Sequence, residues 1–238
     1  MLENYIVKKG AKIGKNVSIG HNSLIYSDVI IQENTRIGPN CIIGHPSKAT
    51  ILNSKKLDPK LQKRLLTSKT VIGKNSIIRS GTIIYSNVKL GNNCNTGHNA
   101  VIREHTKIGN NCIIGTNVVL NGFTKIGNFT RINTTCALPQ STIIGKGVFL
   151  APLVAFSDNK NVVMGNGNEA PIIKDYVRLG VGTIVLPNIT IGRGSLVGSG
   201  SVVTKDIPSM SICYGNPAII KSKISKNELI KYKMSVEH

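Results

Sequence analysis

The sequence has no tryptophan, and aromatic residues make up only 4% of its 238 residues. A core built almost without large rings must come from Ile, Val, Leu and small residues, which favours regular stacking. Acidic side chains are scarce too. Asp and Glu number 11 against 30 Lys and Arg, a net charge of +19. That imbalance suits a solvated Lys-rich surface, or attraction of polyanions such as nucleic acid, acidic lipid or phosphorylated small molecules. Aromatics interleaved with the basic residues for base stacking are missing, so nucleic acid is not the expected partner. No apolar run reaches the roughly 18 residues of a membrane span. The opening MLENYIVKKG lacks the apolar stretch of a secretory leader. No membrane partner is expected. Five cysteines is an odd number, and none forms a CxxC pair. Neither a disulfide framework nor a zinc cluster is implied, and a cytoplasmic location with reduced thiols is expected.

What the sequence has instead is a period. An aliphatic residue returns every six positions at Ile13, Ile19, Ile25, Ile31, Ile37 and Ile43. The phase resumes at Ile72 and runs without a slip to Phe156, then returns from Ile173 to Val203. Four residues after each aliphatic comes a small or β-branched one, such as Val17, Ser23, Thr35, Cys41, Thr82 or Ala100. A large and a small residue per hexad suit short strands facing a narrow interior. Cys41, Cys94, Cys112 and Cys136 fall in the small column and read as packing atoms, while Cys213 lies beyond the repeat. The recurring Ile-Gly pairs suggest glycine at corners, where it tolerates positive φ. Two segments leave the rhythm. One is 45–70, basic, with a short helix expected over DPKLQKRLLTS; the other is 158–171, rich in Gly and Asn. Both excursions should leave from the same edge. The domain division expected is a repeat unit over 1–206 and a C-terminal segment over 207–238 holding a crossing strand or turn and a short basic helix.

This hexad pattern resembles the hexapeptide-repeat acyltransferases. The resemblance implies an all-β fold, a left-handed parallel β-helix of hexapeptide repeats with two excursion loops and a short C-terminal helix. In that fold three hexads make one triangular coil. From about Gly145 onward, GKGVFLAPLVAFSDNK, then VTKDIP, then CYGNPA are similar to the N-acetyltransferases of nucleotide-linked amino sugars. The resemblance implies acetyl transfer from acetyl-CoA to an amine on a UDP- or dTDP-linked sugar, a homotrimer with CoA between neighbouring coils, and no metal. The hexapeptide carbonic anhydrases need three histidines for zinc, two of them paired as H-x4-H, and that pairing is absent here. A nucleotidyltransferase would need a separate nucleotide domain, for which there is no room. An O-acetyltransferase acting on a sugar hydroxyl, or a non-catalytic β-helix scaffold, remains as an alternative.

One hexad is anomalous. Thr96 stands where an aliphatic residue is due, and His98-Asn99 follow it. Acyl transfer needs a base to take the proton of the amine, and an imidazole, with an ordinary pKa of about 6.5, suits neutral pH. His98 is therefore the candidate base and Asn99 the candidate contact to amine or sugar. Some of the similar enzymes carry Gln-Asn at this place, which leaves proton transfer to the substrate as the other route. The Thr96 hydroxyl implies a compensating hydrogen bond. His21 shares the register without a polar break, and His105, after Glu104, reads as part of a charged surface cluster. Eighteen-residue steps from His98 reach Thr116, Thr134 and Pro152, and across the 158–171 loop the equivalent corner resumes at Val181 and Ser199. Gly182 and Gly200 flank the last two and permit close approach of a ligand. Five coil steps of about 4.8 Å span roughly 24 Å, on the order of an extended CoA. Lys205 and Lys221 are candidates for its phosphates. The N–H groups of Gly115 and Thr116 are candidate oxyanion donors.

Overall fold

The computed structural model describes residues 4–47, 69–159 and 169–237. The chain winds into a three-sided parallel β-solenoid whose faces hold 10, 9 and 11 strands among the described residues. Most strands are two residues long, the first pointing outward and the second buried, as in Lys107–Ile108 and Ile113–Ile114. This explains the six-residue period: two strand residues and a four-residue corner bring each inward side chain back to the next face. Each strand pairs with the one a full coil away, so that Val101 meets Val119 and Ile102 meets Leu120.

The aliphatic column forms the core, with Ile25, Ile43, Ile72, Ile102, Leu120 and Leu150 fully buried. At the N-terminal end the column is open, and Ile13 is 40% exposed. The small column does more than fill space. Thr35 Oγ1 donates to Gly73 O at 2.9 Å and Thr130 Oγ1 to Gly145 O at 2.8 Å. The cysteines behave as weak versions of the same donor, Cys94 Sγ reaching Gly109 O at 3.1 Å and Cys112 Sγ reaching Gly127 O at 3.2 Å. All five are buried, and burial pushes the Cys136 thiol up to about 11. Cys213, which the repeat left unassigned, continues the inward column as the Cα partner of Val197.

The Ile-Gly pairs serve a different purpose from the one expected. Positive φ falls two residues after the glycine, mostly on asparagine, for example Asn16, Asn40, Asn93, Asn111 and Asn117. Asparagine tolerates the left-handed region better than other side chains. The glycines are needed because adjacent coils leave no space for a Cβ. One placed on Gly115 would lie 2.6 Å from Asn133 C, and one on Gly20 would lie 2.4 Å from Pro39 N.

Both excursions leave the ten-strand face and rejoin the nine-strand face, so they share one edge as expected. The helix expected over DPKLQKRLLTS lies outside the described residues. The solenoid continues past residue 206: Ile207 bridges Ile191, and the Ser211–Tyr214 strand extends the eleven-strand face. The antiparallel strand Ile219–Lys223 then pairs with it. A helix over Lys226–Glu237 follows, opened by a reciprocal cap. Ser225 Oγ accepts from the Glu228 N–H at 3.2 Å, and the Glu228 carboxylate accepts from the Ser225 N–H at 2.9 Å.

The helix docks where two faces meet. Leu229 is buried, Tyr232 OH donates to Gly147 O at 3.0 Å, and the Glu237 carboxylate accepts from the Tyr176 hydroxyl and pairs with Lys146 at 3.0 Å. Those two partners, the Tyr176 hydroxyl first, hold the Glu237 carboxyl below its usual range. A carboxyl depressed in the folded state stabilises above its unfolded pKa of about 4.3, and that contribution is lost as pH falls through the lower folded value. Acidification through that window should therefore loosen the helix before the coils. Hydrogen exchange of amides 226–237 will read this, and Glu237→Gln should remove the part of the pH step at the C-terminal end of the helix, leaving the part due to Glu228, whose carboxyl the bonds from Ser225 also hold below its usual range. Protection that stays flat in the wild type would show that the carboxylate does not fasten the helix.

Candidate active site

His98 follows the Asn95–Thr96 strand on the corner between the eleven- and ten-strand faces, and its side chain is exposed. The edge it belongs to is fixed by a backbone ladder. Asn99 N donates to Ser80 O, Asn117 N to His98 O, Thr135 N to Thr116 O, Gly182 N to Pro152 O and Gly200 N to Val181 O. Ser80, His98, Thr116, Thr134, Pro152, Val181 and Ser199 thus stack along one line.

The imidazole is held from the coil below. His98 Nδ1 and Ser80 Oγ are 2.7 Å apart, which turns Nε2 away from the coil wall. From the coil above, Thr116 Oγ1 accepts the His98 backbone N–H at 3.2 Å. His21 sits on the same edge, with Pro39 in the place that Thr116 holds for His98. Proline offers no hydroxyl there. His105 lies on a different corner, its ring stacked on Phe123 at 4.6 Å. Glu104 is engaged by Arg103 at 2.9 Å. The charged cluster read around His105 is therefore an Arg–Glu pair beside an aromatic stack.

Thr96 accounts for the corner below His98. Elsewhere the residue after an inward position donates its N–H to the inward carbonyl of the next coil, as Gly97 does to Ile114 O at 2.6 Å and Gly115 to Ile132 O at 2.7 Å. Arg79 donates instead to Thr96 Oγ1 at 2.9 Å. Thr82 Oγ1 lies 3.3 Å from the same hydroxyl. Only Asn95 and Ile77 keep strand register on this side, whereas the next strand pairs at two positions. The side chain has taken over a ladder bond directly beneath the Arg79–Ser80 corner, and Ser80 is the residue that meets His98. This is the compensating bond that the sequence implied.

Asn99 has φ +54, the same backbone state as Asn22, Asn40 and Asn117 on this edge. Its amide oxygen fills the space where a Cβ on Gly81 would stand. Farther along, Gly182 and Gly200 have positive φ, and a Cβ at either would meet nothing within 4 Å. A shallow depression of about 280 Å³ adjoins Ser199, lined by Arg178, Leu196 and Gly198 among others. Lys221 lies over the Tyr214 ring at 5.3 Å, and Tyr214 packs against Gly198 at the end of the same line. Lys205 is not brought to this edge. It follows the Val202–Val203 strand, at the corner where the ten-strand face hands on to the nine-strand face. Of the two oxyanion donors considered, the Gly115 N–H is spent on Ile132 O, which leaves that of Thr116.

Sequence reasoning missed Ser80 and Tyr214. One eighteen-residue step backwards from His98 would have found Ser80. Tyr214 follows a break in the period and carried no such signal. Among the described residues, no helix is long and apolar enough to cross a membrane.

The fold and this edge define a class: parallel β-solenoid proteins whose polar corner residues line up along the prism. The sequence model for the bacterial transferase hexapeptide (six repeats) matches residues 10–45, 69–104, 87–122 and 170–205. That is more than half the chain, which belongs to this family. It is similar to the galactoside O-acetyltransferase of Lactococcus lactis, 43% identical over 65 residues that cover 27% of this chain and 31% of that protein. It is also similar to the mitochondrial serine acetyltransferase 3 of Arabidopsis thaliana, 36% identical over 92 residues, 32% of this chain and 24% of that protein. The chain thus spans well under half the length of these curated relatives. Among solved structures, an Arabidopsis UDP-N-acetylglucosamine acyltransferase superposes with a TM-score of 0.69 over 99% of this chain and 76% of its own, at 19% identity. At that identity the likeness is one of fold.

Proposed function

We infer that the chain is a CoA-dependent acyltransferase that moves acetyl from acetyl-CoA to the amine of a UDP- or dTDP-linked amino sugar. The observation that carries this reading is the imidazole of His98 pinned by Ser80 on an edge that ends in open glycine corners. If Ser80 Oγ accepts from Nδ1–H, the Nε2 lone pair faces outward as a base. The acceptor nitrogen then loses its proton to Nε2 as it bonds the thioester carbonyl carbon. The C–S bond breaks, and the imidazolium returns the proton to the leaving thiolate. The Thr116 N–H is the candidate donor to the oxyanion.

The donor would lie along Thr116 and Thr134 to Gly182, Ser199 and Gly200, where no side chain obstructs the backbone. Lys221 is the better phosphate candidate and Lys205 the poorer, given their places in the fold. Asn99, with its amide over Gly81, would meet the acceptor on the N-terminal side of His98. A net charge of +19 suits two polyanionic substrates. Self-association, a homotrimer by analogy with the family, is supported by the ten-strand face. Its outward row is apolar at every strand, from Leu24 and Ile42 through Val101 and Val119 to Ile184 and Val202. The His98 edge borders that face.

Hydroxyl acceptors form a second reading, favoured by the similarity to a galactoside O-acetyltransferase. Acetyl-CoA assayed with matched amino and hydroxyl sugars, free and nucleotide-linked, separates the two. Turnover confined to the hydroxyl sugars would overturn N-acetylation.

Thr96→Val offers a narrower test of the site. Valine restores the ladder bond used at the equivalent corners, so unfolding should stay near wild type. The corner that presents Ser80 should shift, and misplacement of a catalytic group is costly. Turnover should fall about tenfold or more. A variant that keeps full turnover would show that Thr96 merely fills the core.

A further inference from the structure

The nine-strand face carries a row that acyl transfer does not use. Lys89, Lys107 and Lys125 are Cα partners across successive coils, and all three are exposed. Strand spacing of about 4.8 Å sets them side by side, an arrangement that like-charge repulsion disfavours. Among the described residues no carboxylate pairs with them. Glu33 is taken by Lys74, Glu104 by Arg103 and Glu237 by Lys146. Asp175 accepts the Lys146 backbone N–H and Asp206 that of Thr190. On either side the same outward row turns aliphatic, with Val71 before Lys89 and Ile143 after Lys125. Ile143 is 41% exposed.

We propose that this face docks on an anionic lipid bilayer. The three lysines repeat at one position per coil, so their ammonium groups form a line that meets several headgroups at once. Lysine stems lie along apolar surface while their heads reach phosphate, and the flanking aliphatics suit the headgroup boundary. A second copy of the chain is a poor occupant, because it would bring another lysine row and another +19 charge. Nucleic acid is poorer, because the outward row of this face contains no aromatic residue. The expectation of no membrane partner rested on the lack of a spanning run, which a surface contact does not require.

The test is sedimentation with phosphatidylcholine vesicles, with and without phosphatidylglycerol, at low and physiological salt. Wild type should bind only the anionic vesicles and be released by salt. Lys89→Gln/Lys107→Gln/Lys125→Gln should weaken binding about 100-fold. Arg36→Gln/Arg131→Gln/Lys231→Gln removes the same charge elsewhere, two of the three from the outward row of the eleven-strand face, and should retain binding. Equal losses in the two triple variants would show a net-charge effect and overturn the proposal, as would wild type that ignores anionic vesicles. Tighter ladder-dependent binding to a single-stranded oligonucleotide than to vesicles at equal phosphate would overturn the choice of lipid. Circular dichroism of both variants should match wild type, since every substituted side chain is exposed.

Discussion

His98→Ala should lower kcat for acetyl transfer by about 10²-fold or more, with an unfolding midpoint close to wild type. The side chain is exposed and its ring bonds Ser80 rather than the core, so its removal leaves no buried group unpaired. The matched substitution His21→Ala should leave turnover unchanged. That histidine stands on the same edge but has Pro39 above it instead of a hydroxyl. Ser80→Ala should fall between the two. It keeps the imidazole and frees its tautomer and orientation, so kcat should drop while KM for acetyl-CoA holds. If His98→Ala turns over at the wild-type rate, the base belongs to the substrate and His98 is an ordinary corner residue. Steady-state kinetics over a pH range separates these cases, because a functional base leaves an acid limb that the alanine variant lacks.

Much of the architecture is legible in the period, because two physical demands repeat on every coil. The inward aliphatic must be buried, and the small residue behind it must fit a narrow prism while donating to a corner carbonyl. Ile102, Leu120 and Cys112 can be placed from the sequence for that reason. Thr96 was legible as an anomaly, because a hydroxyl in the core needs a partner. That partner, the Arg79 N–H, was not, since it depends on which ladder bond gives way. Stepping by coil length placed Thr116, Thr134 and Ser199 on the His98 edge. Lys205 stands six residues, one hexad, after Ser199 and is therefore one corner away from that edge. The role of the glycines was misread because periodicity reports where a small residue is required and not why. In Gly38 and Gly97 the reason is the neighbouring coil; in Gly182 it is the backbone angle. Tyr214 lay past a break in the period, where register comes from the pairing of Ile212 and Cys213 with Leu196 and Val197.

That distinction between glycines sets the largest expected stability effect. A Cβ on Gly97 would stand 2.1 Å from Thr116 N and 2.6 Å from Gly115 C and Thr116 Cα. All three are backbone atoms of the next coil, so no rotamer change relieves the contact, and the coils must part. Gly97→Ala should therefore cost about 3 kcal/mol, the upper end for overpacking. Turnover should fall with it, because Thr116 anchors the His98 N–H. Gly182→Ala is the counterpart. Its Cβ meets nothing within 4 Å, and its cost is the φ of +65, about 1–2 kcal/mol. What it should change is the donor site, where a methyl now stands on the open corner. KM for acetyl-CoA should rise while kcat holds. Denaturant unfolding and paired kinetics read both variants. Equal destabilisation by the two alanines would mean that coil spacing yields to a methyl group, and the account of why the Ile-Gly pairs recur would fail with it.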